Sequence, residues 1–363
     1  MKITPKKRRL LFKILPYPVI FLVGGWMYFI VEYGLLEDSL TYPDSENPYS
    51  PLNSLVSVSV MSIIVGIGIG FLEELIFKNR FKTLAFSRKL IIKTSIYVFI
   101  LVTIMLAFTI LLLLYNTGRN SIDAGVIEDF IPFITSFGFI SILIFSGFVI
   151  NMSLFFREIV DYLGFDIVSN FFSGKYSKPV YENRIFMFLD MKDSTAIAEK
   201  IGHEKQYELI NAYFGDMSDA IVRTEGTIYQ YVGDEIVISW ELDDGLKNCN
   251  CLNCFLLIEE QIASKSEEYI LKFGEVPGFK AGLHYGEVTR GRVGDIKRDL
   301  LYIGDVLNAT ARIQGLCNEL KSRLLISAQL KEALPENNFE FKPIGEVELK
   351  GRQKKEELYS VVL

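Results

Sequence analysis

Four long apolar runs, at about 11–31, 54–77, 94–115 and 131–156, constrain this chain more than any other feature. Each approaches the roughly 20 residues that a helix needs to cross a hydrocarbon core of about 30 Å. Lipid admits only structures that satisfy their own backbone hydrogen bonds, so residues 1–156 read as an all-α four-helix transmembrane bundle. Half of the 363 residues are hydrophobic, more than one soluble domain usually carries. The start, MKITPKKRR, resembles the charged region of a secretory signal, but no small-residue cleavage site follows the apolar run. It is read as a retained first span.

Charge orients the bundle. Residues 32–53 contain no Lys or Arg and 116–130 only Arg119, whereas Lys6, Lys7, Arg8 and Arg9 precede the first run. Lys78, Arg80, Lys82, Arg88, Lys89 and Lys93 fill the connection between the second and third. Basic segments stay inside, so both termini are expected in the cytosol of a multi-pass integral membrane protein. The net charge is −6, with the basic excess confined to the first hundred residues, which suits a membrane surface and not a nucleic acid. Gly66 and Gly70 form a small-xxx-small surface, read first as intrachain packing and second as a dimer interface. Glu73 and Glu74 fall at the cytosolic end of their span, where snorkelling to the interface is expected.

Residues 157–183 read as a juxtamembrane connector. Ile159, Tyr162, Leu163, Ile167 and Phe171 recur at about helical spacing before a turn region bearing Gly, Ser and Pro. Such a stripe suits pairing with its copy in a dimer, or a helix lying on its own domain.

Residues 184–363 have the size of one domain and alternate strand-like with helical runs, which implies an α/β or α+β sheet. RIFMFLD is a buried-strand pattern ending in Asp190, followed by MKDST and a helical segment. TIYQYVGDEIVISW reads as a hairpin with Gly233 and Asp234 at its tip. If these strands are neighbours, the two aspartates converge near a helix N-terminus. That combination offers hard oxygen ligands to Mg²⁺ or Mn²⁺ and backbone N–H groups to phosphate. Taken singly, each aspartate is as well explained as a cap or a turn residue. Further on, FKAGLHYGEVTRGRVG reads as strand, turn and strand, and LLYIGDVLNATARIQGL as a short strand entering a helix. Asn308 and Arg312 lie four apart on one face of that helix. An amide and a guanidinium so placed could hold a ribose and a phosphate.

In this order and at these separations, the motifs ending FLD-MKDST, then GDE, AGLHYGEV and GDVLNATAR resemble the class III adenylate and guanylate cyclase domain. The resemblance covers about 184–361 and implies an α+β ferredoxin-like fold working as a head-to-tail homodimer with composite sites. It further implies that Asp190, Asp234 and the Met191 backbone hold two Mg²⁺ or Mn²⁺ ions. Asn308 and Arg312 would act from the partner subunit as the catalytic pair. Lys350, Lys297 or Arg298, Ser194 and Thr195 would contact the triphosphate. The implied reaction is attack of the ribose 3′-hydroxyl on the α-phosphorus of a nucleoside triphosphate, with pyrophosphate leaving.

The family's base-selecting positions fall here on Gln230 and Leu301. Glutamine both donates and accepts and leucine does neither, so they encode no single base. ATP comes first as the commonest family substrate, then GTP and the pyrimidine triphosphates. Two other functions compete. GDEIV is similar to the acidic hairpin of diguanylate cyclases, although Val232 replaces a glycine there and GDVLNATAR has no counterpart. A non-catalytic membrane receptor that binds nucleotide would use the same pocket without turnover. Cys249, Cys251 and Cys254 lack a fourth ligand at metal-site spacing and read as packing residues. His203 is expected at a surface or cap, and His284 as a satisfied core residue.

Overall fold

The computed structural model describes residues 5–36, 49–77, 80–81, 84–117, 131–132, 134–176, 178–296, 298–336, 338–348 and 355–362. The chain divides into two compact units, Lys7–Val168 and Ser169–Leu363 together with the first six residues.

In the first unit, α1 (Pro5–Ile14) and α2 (Pro16–Leu36) are separated by a turn at Leu15, just before Pro16. There follow α3 (Pro51–Leu72), a π-helical turn (Glu73–Phe77), α4 (Phe86–Thr117) and α5 (Phe137–Leu163). Four stretches, Leu10–Leu36, Pro51–Phe77, Phe86–Leu111 and Phe137–Leu163, are long and apolar enough to cross a membrane. The third starts earlier than the apolar run suggests, because Lys89 and Lys93 are inside the helix. The fourth starts later, where the Ser136 hydroxyl accepts from the Phe139 N–H, and ends at Gly164 with φ 88°.

Tyr17, Phe21, Ile69, Tyr97, Val149, Ile150 and Leu154 form the core of this unit. Gly66 and Gly70 serve packing within the chain. A Cβ at Gly66 would fall 2.5 Å from Pro18 Cα, and one at Gly70 2.8 Å from Ile14 Cγ2, whereas Gly68 faces open space. Glu73 and Glu74 do not snorkel. Glu73 is buried, ion-paired to Lys93 at 2.5 Å and accepting from Tyr97 Oη at 2.7 Å. Glu74 pairs with Arg157 at 2.6 Å and Lys13 at 3.2 Å. Cations from three other helices meet the two carboxylates inside the bundle.

The expected connector stripe is interrupted. Gly164 separates α5 from α6 (Phe165–Ser173), and Tyr162, Leu163, Ile167 and Phe171 are exposed while Ile159 is half-buried.

The second unit is built on an eight-stranded sheet. Its strands are β1 (Val180–Met191), β2 (Thr227–Val232), β3 (Glu235–Glu241), β4 (Phe279–Val293), β5 (Asp299–Ile303), β6 (Leu324–Ser327), β7 (Phe341–Val347) and β8 (Glu356–Val361). The order is β2-β3-β1-β4-β6-β8-β7, with β5 added against β4. All contacts are antiparallel except β4 with β6. The helices are α7 (Ser194–Ile201), α8 (His203–Arg223), α9 (Leu242–Leu246), α10 (Asn250–Ser264), α11 (Ser266–Phe273), α12 (Asp305–Gly315) and α13 (Ala328–Ala333).

Alternation in β1 sorts the layers, as the period of two in a strand requires. Ile185, Met187, Leu189 and Met191 join the main core with residues of α7, α8, α10 and α11. Phe186 and Phe188 instead meet Val237, Val288, Tyr302 and Val306 on the other face, where α12 lies. Asp190 has the parity of Phe186 and Phe188, so it emerges on the α12 face. Cys249, Cys251 and Cys254 pack into the main core. His284 is buried, with Nδ1 2.8 Å from Ser327 Oγ, and His203 is exposed at the start of α8.

Candidate active site

Strand register brings the acidic residues together. Asp190 near the end of β1 lies opposite Glu235 on β3 and opposite Lys280 on β4. Asp234 immediately precedes Glu235 in the tight turn after β2, which Gly233 makes with φ 63°. The expected hairpin is thus present, and its tip sits beside the end of β1.

The acidic side chains act on one site electrostatically. Burial, then the charge of Asp234, pushes the Asp190 carboxyl above the ordinary range, against the pull of Lys280 and Gln314. Burial and the charges of Asp190 and Asp234 raise Glu235 to about 7. Lys280 Nζ stands 3.3 Å from Asp190 Oδ2 and Gln314 Nε2 donates to the same oxygen at 3.1 Å. A carboxylate raised by a neighbouring negative charge is relieved by a bound cation, as at a divalent-metal site. Among the described residues no group of three or more His, Cys, Asp or Glu side chains forms a closed metal cage.

Around the pair, Met191 ends β1 with its side chain in the main core, so only its backbone can serve the site. Asp193 turns the chain in the left-handed region with φ 55°, and Ser194 and Thr195 open α7 directly after it. Their N–H groups belong to the unsatisfied first turn of a helix, a natural phosphate contact.

The helix α12 has two working sides. Val306, Ala309, Thr310, Ile313 and Gln314 are buried against the sheet. Asn308 is exposed and Arg312 half-exposed, and neither makes a side-chain hydrogen bond or ion pair with a described residue. One chain therefore gathers Asp190, Asp234, Glu235, Lys280 and Gln314, while Asn308 and Arg312 turn away from that cluster.

A match of residues 176–362 to the family described as "Adenylate and Guanylate cyclase catalytic domain" gives this arrangement its setting. The chain belongs to that family. Similar curated proteins include adenylate cyclase 2 of Rhizobium meliloti (strain 1021), 35% identical over 60% of this chain and 60% of the relative. Adenylate cyclase of Anabaena cylindrica is 29% identical over 48% of this chain and 36% of its own length. The chain thus spans less than two thirds of either relative. A solved bacterial light-regulated adenylyl cyclase shares the fold, with a TM-score of 0.54 at 20% identity over 63% of this chain and 67% of that one.

Within the cyclase domain, Gln230 is exposed on β2 and Leu301 is half-buried on β5. Their neighbours Tyr229 and Tyr302 touch edge to face with centroids 4.9 Å apart, and the Tyr302 N–H donates to Tyr229 Oη at 3.3 Å. Arg184 and Arg290 cover the Tyr302 ring at 5.0 and 4.8 Å. Arg298 is exposed in the β4–β5 turn, whereas Lys297 and Lys350 lie outside the described residues. Sequence reasoning passed over Lys280, Gln314 and Glu235. The available signal for Lys280 was a cation in an otherwise buried strand, and for Gln314 a polar residue on the apolar face of α12.

Proposed function

We propose that the chain is a membrane-bound nucleotidyl cyclase, an adenylate cyclase first, that converts a nucleoside triphosphate into a 3′,5′-cyclic nucleotide and pyrophosphate for intracellular signalling. The observation that carries this reading is the strand register that sets Asp190, near the end of β1, opposite Glu235, next to Asp234 in the β2–β3 turn, in a sheet of the cyclase family. In this reading the four apolar stretches form a multi-pass anchor with both termini cytosolic, as the basic connections favour. Residues 157–183 serve as connector and 184–363 as the catalytic domain.

Asp190, Asp234 and the Met191 carbonyl would hold two Mg²⁺ or Mn²⁺ ions, which when bound strengthen the 3′-hydroxyl as nucleophile and neutralise phosphate charge. The remaining work belongs to the chain. Ser194 and Thr195 offer the α7 N-terminus to the phosphates, with Lys350, Lys297 and Arg298 as further contacts. Asn308 and Arg312 come from the partner subunit of a homodimer, the amide orienting the ribose and the guanidinium meeting charge that grows at the α-phosphoryl group. The 3′-oxygen bonds to the α-phosphorus as the bond to the pyrophosphate oxygen breaks, and the hydroxyl proton passes to solvent. ATP is favoured because the curated relatives are named adenylate cyclases. Gln230 and Leu301 leave the other bases as arms of the test.

Full-length protein, incubated with each triphosphate and Mn²⁺ or Mg²⁺, is expected to give cyclic AMP from ATP, read by product mass. Asp190→Ala and Arg312→Ala should each lower turnover by about a hundredfold or more. Tight triphosphate binding with no product from any base would turn the reading to a nucleotide-binding receptor.

A further inference from the structure

Asp190 is gripped by one of its two oxygens. Gln314 Nε2 and Lys280 Nζ both reach Oδ2, at 3.1 and 3.3 Å, and no described side chain donates to Oδ1. A carboxylate pinned in this way presents its second oxygen in one direction, whereas a free one turns about a broad terminal torsion. The grip from α12 is built into the sheet. Gln314 is 7% exposed, and a Cβ at Gly282 on β4 would fall 2.4 Å from the Gln314 backbone nitrogen. Only a residue without a side chain lets the helix come this close. Arg312 lies about 200° round the helix from Gln314, at about 100° per residue, so the same rod that touches Asp190 presents Asn308 and Arg312 on its far side.

Resting on the cyclase reading above, we propose that Gln314 is a positioning residue. Its amide fixes the orientation of Asp190 toward a divalent cation and ties that carboxylate to the helix carrying Asn308 and Arg312. A glutamine that merely filled space would be replaced without loss by methionine, which has similar length and no donor.

The test uses full-length protein free of nucleotide, titrated with Mn²⁺ and followed by the electron paramagnetic resonance signal of the free ion. Gln314→Met is expected to bind Mn²⁺ about tenfold more weakly, the lower edge of the roughly ten- to hundredfold loss seen when a partner of a metal ligand is removed. Unaltered Mn²⁺ affinity overturns the proposal, whatever happens to turnover. A second measurement separates positioning from damage to the helix. Dimers of one Asp190→Ala chain with one Arg312→Ala chain contain one complete composite site, whose Asp190 comes from the Arg312→Ala chain. Gln314→Met in that chain should raise the Mn²⁺ concentration for half-maximal product about tenfold, with the nucleotide KM at saturating Mn²⁺ little changed. The same substitution in the Asp190→Ala chain should shift it far less. Equal shifts from either chain overturn the proposal. Mixed dimers without product, combined with weakened Mn²⁺ binding, would end the composite-site reading and support the role of Gln314.

Discussion

Glu235 shows how one side chain feels the site around it. With a folded pKa of about 7 against an ordinary 4.5, it keeps its proton to higher pH when folded than when unfolded. The folded state then binds more protons between those values, so stability is greatest below the window and falls as pH rises through it. Asp190 is shifted in the same direction. Metal-free protein should therefore lose thermal stability from about pH 4.5 to about pH 7, and Glu235→Gln should flatten that slope. Trp26 and Trp240 are the two tryptophans, so fluorescence in a Trp26→Phe background follows Trp240, which is fully buried in the cyclase unit. A slope that Glu235→Gln leaves intact would show that another group governs it.

Among the elements, local motifs were legible and cross-chain partnerships were not. Asp190 and Asp234 each belong to a short pattern, a strand end and a hairpin tip, whose geometry neighbouring residues dictate. Lys280 and Gln314 reach Asp190 through register and helix approach, which no window of sequence contains. The same reason explains Glu73 and Glu74, whose place near a span end suggested contact with water. Their partners Lys13, Lys93 and Arg157 come from other helices. Removing one member of a buried pair leaves an uncompensated charge, at a cost of about 3–5 kcal/mol. Glu73→Gln should thus lower the thermal stability of the detergent-solubilised anchor markedly. Glu73→Gln combined with Lys93→Met should recover most of the loss, because the orphaned charge is gone. A double variant as unstable as the single one would mean that Lys93 is not the partner that matters.

At the scale of the whole molecule, the chain reads as two halves of different solvents, and that division was plain from the apolar runs. Less plain was where helices begin and end, since Lys89 and Lys93 looked like loop residues until partners inside the bundle accounted for them. The proposed homodimer has a measurable signature in lipid. If catalysis needs Asn308 and Arg312 of the partner subunit, product formed per chain should decline as protein is diluted into increasing amounts of bilayer. Covalent linkage of two chains should abolish that decline. A specific activity independent of dilution, with monomers verified by single-molecule counting, would exclude a composite site.

The pairing of Glu73 with Lys93 also bears on how the anchor is made. Glu73 on the second span and Lys93 on the third are opposite partners, so each span is a poor guest of hydrocarbon alone and a better one beside the other. Biogenesis is then expected to deliver them as a couple, and a chain cut short in the connection between them would leave Glu73 in lipid with its Lys93 counter-ion missing.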